Sequence, residues 1–141
     1  MNRMKSEKIE LIANIAADRQ KVWDCYTRPE HVTGWNFASP DWHCPWAKAE
    51  LFAGGKFAWR MEARDGSFGF DFSGSFDVVK APEILCYTLD DGRKVEVMME
   101  ETDDKTKVIL TFEAESQNPV EMQRMGWQSI LNQFKIYTES A

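Results

Sequence analysis

Four side chains of kinds that often do chemistry fall close together in this sequence: His31, Asp41, His43 and Cys44. A zinc site would need convergent ligands, usually four, at spacings such as C-x-x-C or H-x-x-x-H. Adjacent residues such as His43 and Cys44 tend to point apart, and the sequence offers no second Cys or His pair to close a tetrahedron. A loop histidine and a packed thiol are expected there, with no metal and no cofactor. The same two residues have the makings of a Cys–His nucleophile pair. Neither a third orienting group nor an oxyanion site is identifiable, so no catalytic residue is assigned. Asp71, Asp77 and Glu96 fall on the polar faces of strands, where solvated charge is expected rather than paired acid–base work.

Two other segments are more informative. Trp35 to Trp46 reads W-N-F-A-S-P-D-W-H-C-P-W, a loop by its prolines and its Ser-Pro-Asp, yet rich in rings. It is expected to pack against the mouth of a cavity, since ordering such a loop needs apolar burial to offset its entropy. A lid, a plug completing the core and a dimer surface are the three roles it could fill. The second segment is a helix after Asn118-Pro119-Val120-Glu121, a start with Asn as N-cap, Pro at N1 and Glu at N3. It runs to about Glu139, roughly 30 Å at 1.5 Å per residue. Glu121, Arg124, Gln128, Asn132, Lys135 and Glu139 form its expected outer stripe. Gly126, Gln123, Ser129 and Gln133 fall within the remaining apolar arc. Either Gly126 leaves room beside a polar spot in a cavity, or helix and sheet approach closely there and the polar groups bond to backbone.

The rest of the chain must position these segments. Ile9, Leu11, Ala13 and Ile15 alternate in a first strand, and Asp18 can cap a helix carrying Val22, Trp23 and Tyr26. Pro29 stops that helix and suits the start of a short second one, which Gly34 closes. From Ala47 onward the pattern has period two. Phe57, Trp59, Met61 and Ala63 alternate with charged residues; Phe68, Phe70, Phe72, Gly74, Phe76 and Val78, then Val95, Val97 and Met99, then Val108, Leu110, Phe112 and Ala114 alternate with charged or hydroxyl residues. One wet face and one buried face are the mark of an antiparallel sheet. Gly54-Gly55, Asp65-Gly66, Asp91-Gly92 and Asp103-Asp104 read as its turns. The run Ile84 to Leu89 is apolar on both faces, and seven strands are expected in all, counting the first. The apolar arc of the last helix is wider than a flat surface would cover, so the sheet is expected to curl around it.

Composition excludes several functions. The 141 residues suit one domain spanning 1–141, and 43% apolar with 28% charged residues is ordinary globular composition. The net charge of −6, with 17 Lys and Arg scattered among 23 acids, argues against a nucleic-acid surface. No apolar run approaches the ~18 residues of a spanning helix, so no membrane insertion is expected. The start, Met1 to Glu10, is charged and lacks the apolar stretch of a signal peptide. The three cysteines, Cys25, Cys44 and Cys86, show no C-x-x-C spacing. Reduced thiols and a cytoplasmic location are expected.

Five groups of residues resemble a known family: Val22-Trp23-x-x-Tyr26-Thr27-x-Pro29-Glu30-x-Val32-x-x-Trp35, Glu50-Leu51-x-x-Gly54-Gly55-Lys56-Phe57, Asp65-Gly66, Tyr87-Thr88, and Gly126-Trp127-x-x-x-Leu131-x-x-Phe134-x-x-Tyr137. They look like the START-like (SRPBCC) superfamily, in the branch named after the activator of the heat-shock-90 chaperone ATPase. Each motif alone is weak, and five in order are strong. Glu50 stands where that branch usually has Asp, and Cys25 where it often has Ala. The resemblance implies an α+β helix-grip fold, β-α-α-β6-α, a curved antiparallel sheet wrapped around a long C-terminal helix with a cavity between. Such members bind lipids, polyketides and other apolar ligands. Chaperone-activating members usually carry an additional N-terminal domain that this sequence does not contain, so a co-chaperone role is not the first expectation.

The expected function is therefore binding of a small, neutral, apolar or aromatic molecule in that cavity. A protein-interaction or stress-response module is the alternative, and an enzyme on an apolar substrate (a cyclase, dehydratase or hydrolase) a further one. The expected ligand-binding residues are Trp35, Trp42, Trp46, Trp59, Met61, Phe70, Met122, Met125, Gly126, Ser129, Gln133 and Tyr137. The expected partners are that molecule and, through the aromatic loop, a second copy of the chain.

Overall fold

A computed structural model describes residues 7–141; the first six residues of the charged N-terminal segment lie outside them. Strand β1 (Lys8–Ile15) leads to helices α1 (Arg19–Thr27) and α2 (Pro29–Val32). Then follow β2 (Trp42–His43), β3 (Ala47–Ala49), β4 (Lys56–Ala63), β5 (Gly69–Lys80), β6 (Ile84–Leu89), β7 (Lys94–Thr102), β8 (Lys105–Glu113) and the long helix α3 (Val120–Ser140). The strands form one antiparallel sheet in the order β1-β8-β7-β6-β5-β4-β2, with β3 also paired to β4. The first strand thus returns beside the last, and the sheet curls around α3.

Local chemistry explains most boundaries. The Asp18 carboxylate accepts the Lys21 N–H at 2.9 Å and caps α1, and Pro29 opens α2. Asp103 and Asp104 both take positive φ between β7 and β8, as a tight hairpin of this hand requires. Alternating inward residues of the strands, with Val22, Trp23 and Tyr26 of α1 and Leu131 and Phe134 of α3, make one core.

Several expectations need correction. The segment Trp35 to Trp46 is not all loop, because Trp42 and His43 pair with Ala63 and Glu62 of β4. The described residues hold eight strands instead of seven, as Pro45 splits the strip along the outer edge of β4 into two short pieces. In β5 the register shifts between Phe76 and Val78, so Val78 turns outward and Val79 packs inward. At the start of α3, Pro119 and not Asn118 is the cap residue. The Gln123 side chain reaches back instead: its oxygen accepts the Glu115 N–H at 2.9 Å and its amide donates to the Asn118 carbonyl at 2.8 Å.

The largest correction concerns the rotation of α3. Its outward face joins Met122, Met125 and Ile136 to Glu121, Asn132 and Glu139 of the expected stripe, whereas Arg124, Gln128 and Lys135 are only half-exposed. Met122 and Met125 are 59% and 67% exposed. On this flank the helix meets β1, whose second edge has no strand partner among the described residues. Arg124 donates to the Glu10 carbonyl and Lys135 to the Asn14 carbonyl, while Glu139 accepts the Ala16 N–H at 2.8 Å. Charged residues that would ordinarily face water are thereby drawn to the strand edge.

Two glycines of the helical region differ in what surrounds them. A Cβ on Gly34 would run into the Tyr137 ring, whereas one on Gly126 would meet nothing within 4 Å. Close helix–sheet approach is therefore not the reason for Gly126. Gly126→Ala should stabilise the protein by about 1 kcal/mol through helix propensity. Gly34→Ala should cost about 1–3 kcal/mol by overpacking. Urea unfolding of the two variants beside the parent checks both signs.

Candidate functional site

Because α3 lies along β1 and contacts α1, it leaves β4 and β5 uncovered at the other side of the sheet. Large side chains partly fill that gap, and a cleft of about 220 Å³ remains. Trp59, Met61, Phe70 and Phe72 form its sheet wall, and Trp127, Ile130 and Leu131 its helix wall. Tyr26, Trp35 and Tyr87, all buried, form the floor. Arg93, Glu115 and Gln123 stand at one end.

The walls are held by ring packing. Trp35 stacks on Tyr26 with centroids 5.2 Å apart and meets Phe134 edge-on at 4.9 Å. Trp59 stacks on Phe72 at 5.8 Å, and Trp127 lies flat on Phe112 at 3.9 Å. The Trp35 indole N–H donates to the Cys25 carbonyl at 2.8 Å, which ties the start of the aromatic segment to α1. The hydroxyls of Tyr26 and Tyr87 meet at 2.9 Å in the floor. Burial pushes the Tyr26 phenol up to about 12, only partly opposed by its bond to Tyr87. Burial also pushes Tyr87 well above the ordinary tyrosine value, helped by the neighbouring Tyr26. Both remain protonated and neutral over the physiological range.

The cleft brings together four of the twelve expected residues: Trp35, Trp59, Met61 and Phe70. Trp42 sits at its rim, edge-on to Phe68 and Phe70 with centroids 6.0 and 6.2 Å away. Trp46 lies outside it, 41% exposed beneath the Lys48 ammonium. Met122, Met125 and Ser129 lie outside it as well, because the rotation of α3 carries them to the outer surface and toward β1. By helical spacing Gly126 and Gln133 fall on the flank next to Ile130, but neither lines the cleft. Tyr137 is engaged by His31, whose Nδ1 is 2.7 Å from the phenolic oxygen. The sequence reading missed Tyr26, Phe72, Tyr87, Trp127 and Ile130. Their buried spacing was visible; the convergence of Trp127 and Ile130 depends on how α3 is rotated, whereas Tyr26, Phe72 and Tyr87 belong to α1 and the sheet.

The groups of the first chemical reading have other partners. His43 lies 3.8 Å from Glu62, and Cys44 is buried with its thiol toward the Trp46 carbonyl at 3.4 Å. Burial pushes the Cys44 thiol up, the reverse of what activates a nucleophile. Asp71 pairs with Arg60 at 3.0 Å, and Asp77 accepts from Thr88 at 2.6 Å. Among the described residues no helix is long and apolar enough to cross a membrane.

A curled antiparallel sheet gripping one long C-terminal helix, with a ring-lined gap between them, defines a START-like helix-grip protein. The family model described as Activator of Hsp90 ATPase homolog 1-like protein matches residues 16–139, and the chain belongs to that family. The AHSA1-like protein of Aeromonas hydrophila, solved by NMR, is 41% identical over 95% of this chain and 93% of its own, with a TM-score of 0.90. A Cytophaga hutchinsonii protein is 45% identical over 94% of this chain and 92% of its own, with a TM-score of 0.81. A Chromobacterium violaceum protein, 18% identical over 94% and 98% of the two chains, shares the fold at a TM-score of 0.82. No curated protein matches the sequence significantly.

The floor tyrosines carry a pH signature. Both phenols are harder to ionise in the folded state, so stability from this source is whole below the unfolded value near 10 and is lost as pH rises toward 12. Urea unfolding at about pH 9 and about pH 11 should show that loss, and the Tyr26→Phe/Tyr87→Phe protein should show much less of it.

Proposed function

We propose that the protein binds a small, neutral, ring-containing molecule in the cleft between the sheet and α3, without transforming it. The observation that supports this most is the lining: rings and aliphatic side chains over most of its area, with two charged residues of opposite sign, Arg93 and Glu115, at one end. An ionised ligand group brought among the rings would lose its hydration without a partner. A neutral one loses little. The volume of about 220 Å³ lies below the roughly 300 Å³ at which drug-sized pockets begin, which suits one or two fused rings. Of the expected residues, Trp35, Trp59, Met61 and Phe70 are those proposed to touch the ligand, with Trp42 at the entrance. The thiols Cys25, Cys44 and Cys86 are free, which fits a protein working in the reducing cytoplasm.

A second reading, a protein-contact module, draws on the exposed Met122, Met125 and Ile136 on the outer face of α3. The two readings use opposite sides of the helix and are separable. Met125→Glu would weaken a protein contact and leave cleft binding intact.

Neutral bicyclic aromatics should raise the melting temperature by several degrees at saturating concentration and alter tryptophan fluorescence. Carboxylates of the same skeletons should not. Ile130→Trp should fill the cleft and abolish the shift while the protein stays folded. If acids bind as well as neutral compounds, or if Ile130→Trp binds like the parent, the ligand site is not this cleft.

A further inference from the structure

We infer that the ligand is longer than the cleft, and that a further flat ring, joined to the part held inside, rests on an aromatic platform formed by Trp42, Phe68 and Phe70. This rests on the ligand-binding reading above and adds to it a second subsite and the length of the ligand. The platform follows from strand register. Pairing of β5 with β6 begins only at Gly74 and Leu89, so β2, the end of β4 and the start of β5 project past the rest of the sheet as an arm. Trp59 lies opposite Phe72 and Met61 opposite Phe70, and these four make the sheet wall of the cleft. Residues two apart share a face, so the next row outward on that face is Phe68, Ala63 and Trp42. The platform is the cleft wall continued into the open.

The small side chain of Ala63 lets Trp42 and Phe68 meet across β4, with ring centroids 6.0 Å apart. Phe70 joins both, at 6.2 Å from Trp42 and 6.1 Å from Phe68. It belongs to cleft and platform together, since it lines the first and is 40% exposed on the second. Phe68 is 61% exposed. The reverse face of the arm is polar, with Arg60 bridging Glu62 and Asp71 at 2.9 and 3.0 Å. One face of the arm is thus made for water, and the other shows water its rings. The arm is also held in place: Trp42 and His43 pair with β4, and the Arg64 Nε donates to the Pro40 carbonyl at 2.9 Å. A ligand landing there has little left to order.

The size of the platform decides its occupant. Three partly exposed rings offer on the order of a few hundred Å². A stable protein interface takes roughly 800 Å² from each partner. Continuity through Phe70 with a cleft that suits one or two fused rings points instead to the remainder of the same small molecule. The platform rings meet at 49 to 73°, so they present both faces and edges. Such surfaces favour another ring, by offset stacking or edge contact, over a flexible chain. The ligand class is an extended, neutral aromatic: a bicycle bearing an aryl group, or a row of three or four rings.

The test compares 2-naphthol with 6-phenyl-2-naphthol, both neutral at about pH 7, by titration followed through the naphthol fluorescence. The phenyl group should tighten binding to the parent about tenfold. Phe68→Thr, at an exposed position outside the cleft, should cut that advantage to about threefold or less and leave 2-naphthol within about twofold. In NMR spectra of the parent complex, which needs no variant, the phenyl protons should show contacts to the rings of Trp42 and Phe68. Equal or weaker binding of the longer compound overturns the inference, as does a Phe68→Thr protein that keeps the advantage. Phenyl contacts to Arg93 or Gln123 instead of Trp42 and Phe68 overturn it too. So does a dimer in sedimentation velocity that Phe68→Thr abolishes, which assigns the rings to a second copy of the chain. Failure of both compounds to bind removes the ligand-binding reading itself.

Discussion

The structure depends on how the free edge of β1 is closed. A strand at the end of a sheet presents carbonyls and N–H groups that need partners. Here α3 supplies side chains instead of another strand: Arg124 and Lys135 donate to β1 carbonyls, and Glu139 accepts a backbone N–H. These three contacts go with the rotation that buries Leu131 and Phe134, and the rotation decides what the helix shows on each side. Trp127, Ile130, Leu131 and Phe134 turn inward, while Met122, Met125 and Ile136 turn to solvent. A helix drawn toward one margin of a curled sheet cannot also cover the opposite margin. The cleft beside β4 and β5 follows from that.

What fills the uncovered side is mostly aromatic. Rings meeting at angles leave gaps that branched aliphatic side chains would close, and here they form a continuous set from Phe76 through Phe57, Trp59 and Tyr26 to Trp35. Trp35 belongs to that core, being 2% exposed, although it opens a segment rich in proline. Trp42 stands at the rim with Phe68 and Phe70, and Trp46 lies outside. One aromatic stretch thus combines a core plug, a rim and an exposed ring, because β2 and β3 pin its later part to β4.

Much of the fold was legible in local patterns. The alternation in β1, β4, β7 and β8, the cap at Asp18, the proline at the head of α2 and the hairpin residues each speak through neighbours in sequence. The departures arise where a distant partner intervenes. Nothing near Arg124 or Lys135 announces that a carbonyl more than a hundred residues away will claim it. Gln123 reads as a polar intruder in an apolar arc until its bonds to Glu115 and Asn118 are seen. Only four residues of the cleft, Trp35, Trp59, Met61 and Phe70, were recognisable. The sheet residues Trp59, Met61 and Phe70 follow from period two, which fixes their side of the sheet. The helix residues do not, since period 3.6 alone leaves the direction of the stripe open.

The split strip along β4 has a consequence for life in a crowded cell. An unbroken edge strand is a template on which other chains can add, which is how many sheets aggregate. The outer edge of β4 is met by two residues of β2 and three of β3, with Pro45 between them. Pieces so short, interrupted by a residue that has no N–H to offer, give an incoming strand little to extend. With charged side chains guarding the opposite margin at β1, the sheet ends on both sides in something that resists polymerisation, and the cleft can keep its exposed rings without the protein assembling through its backbone.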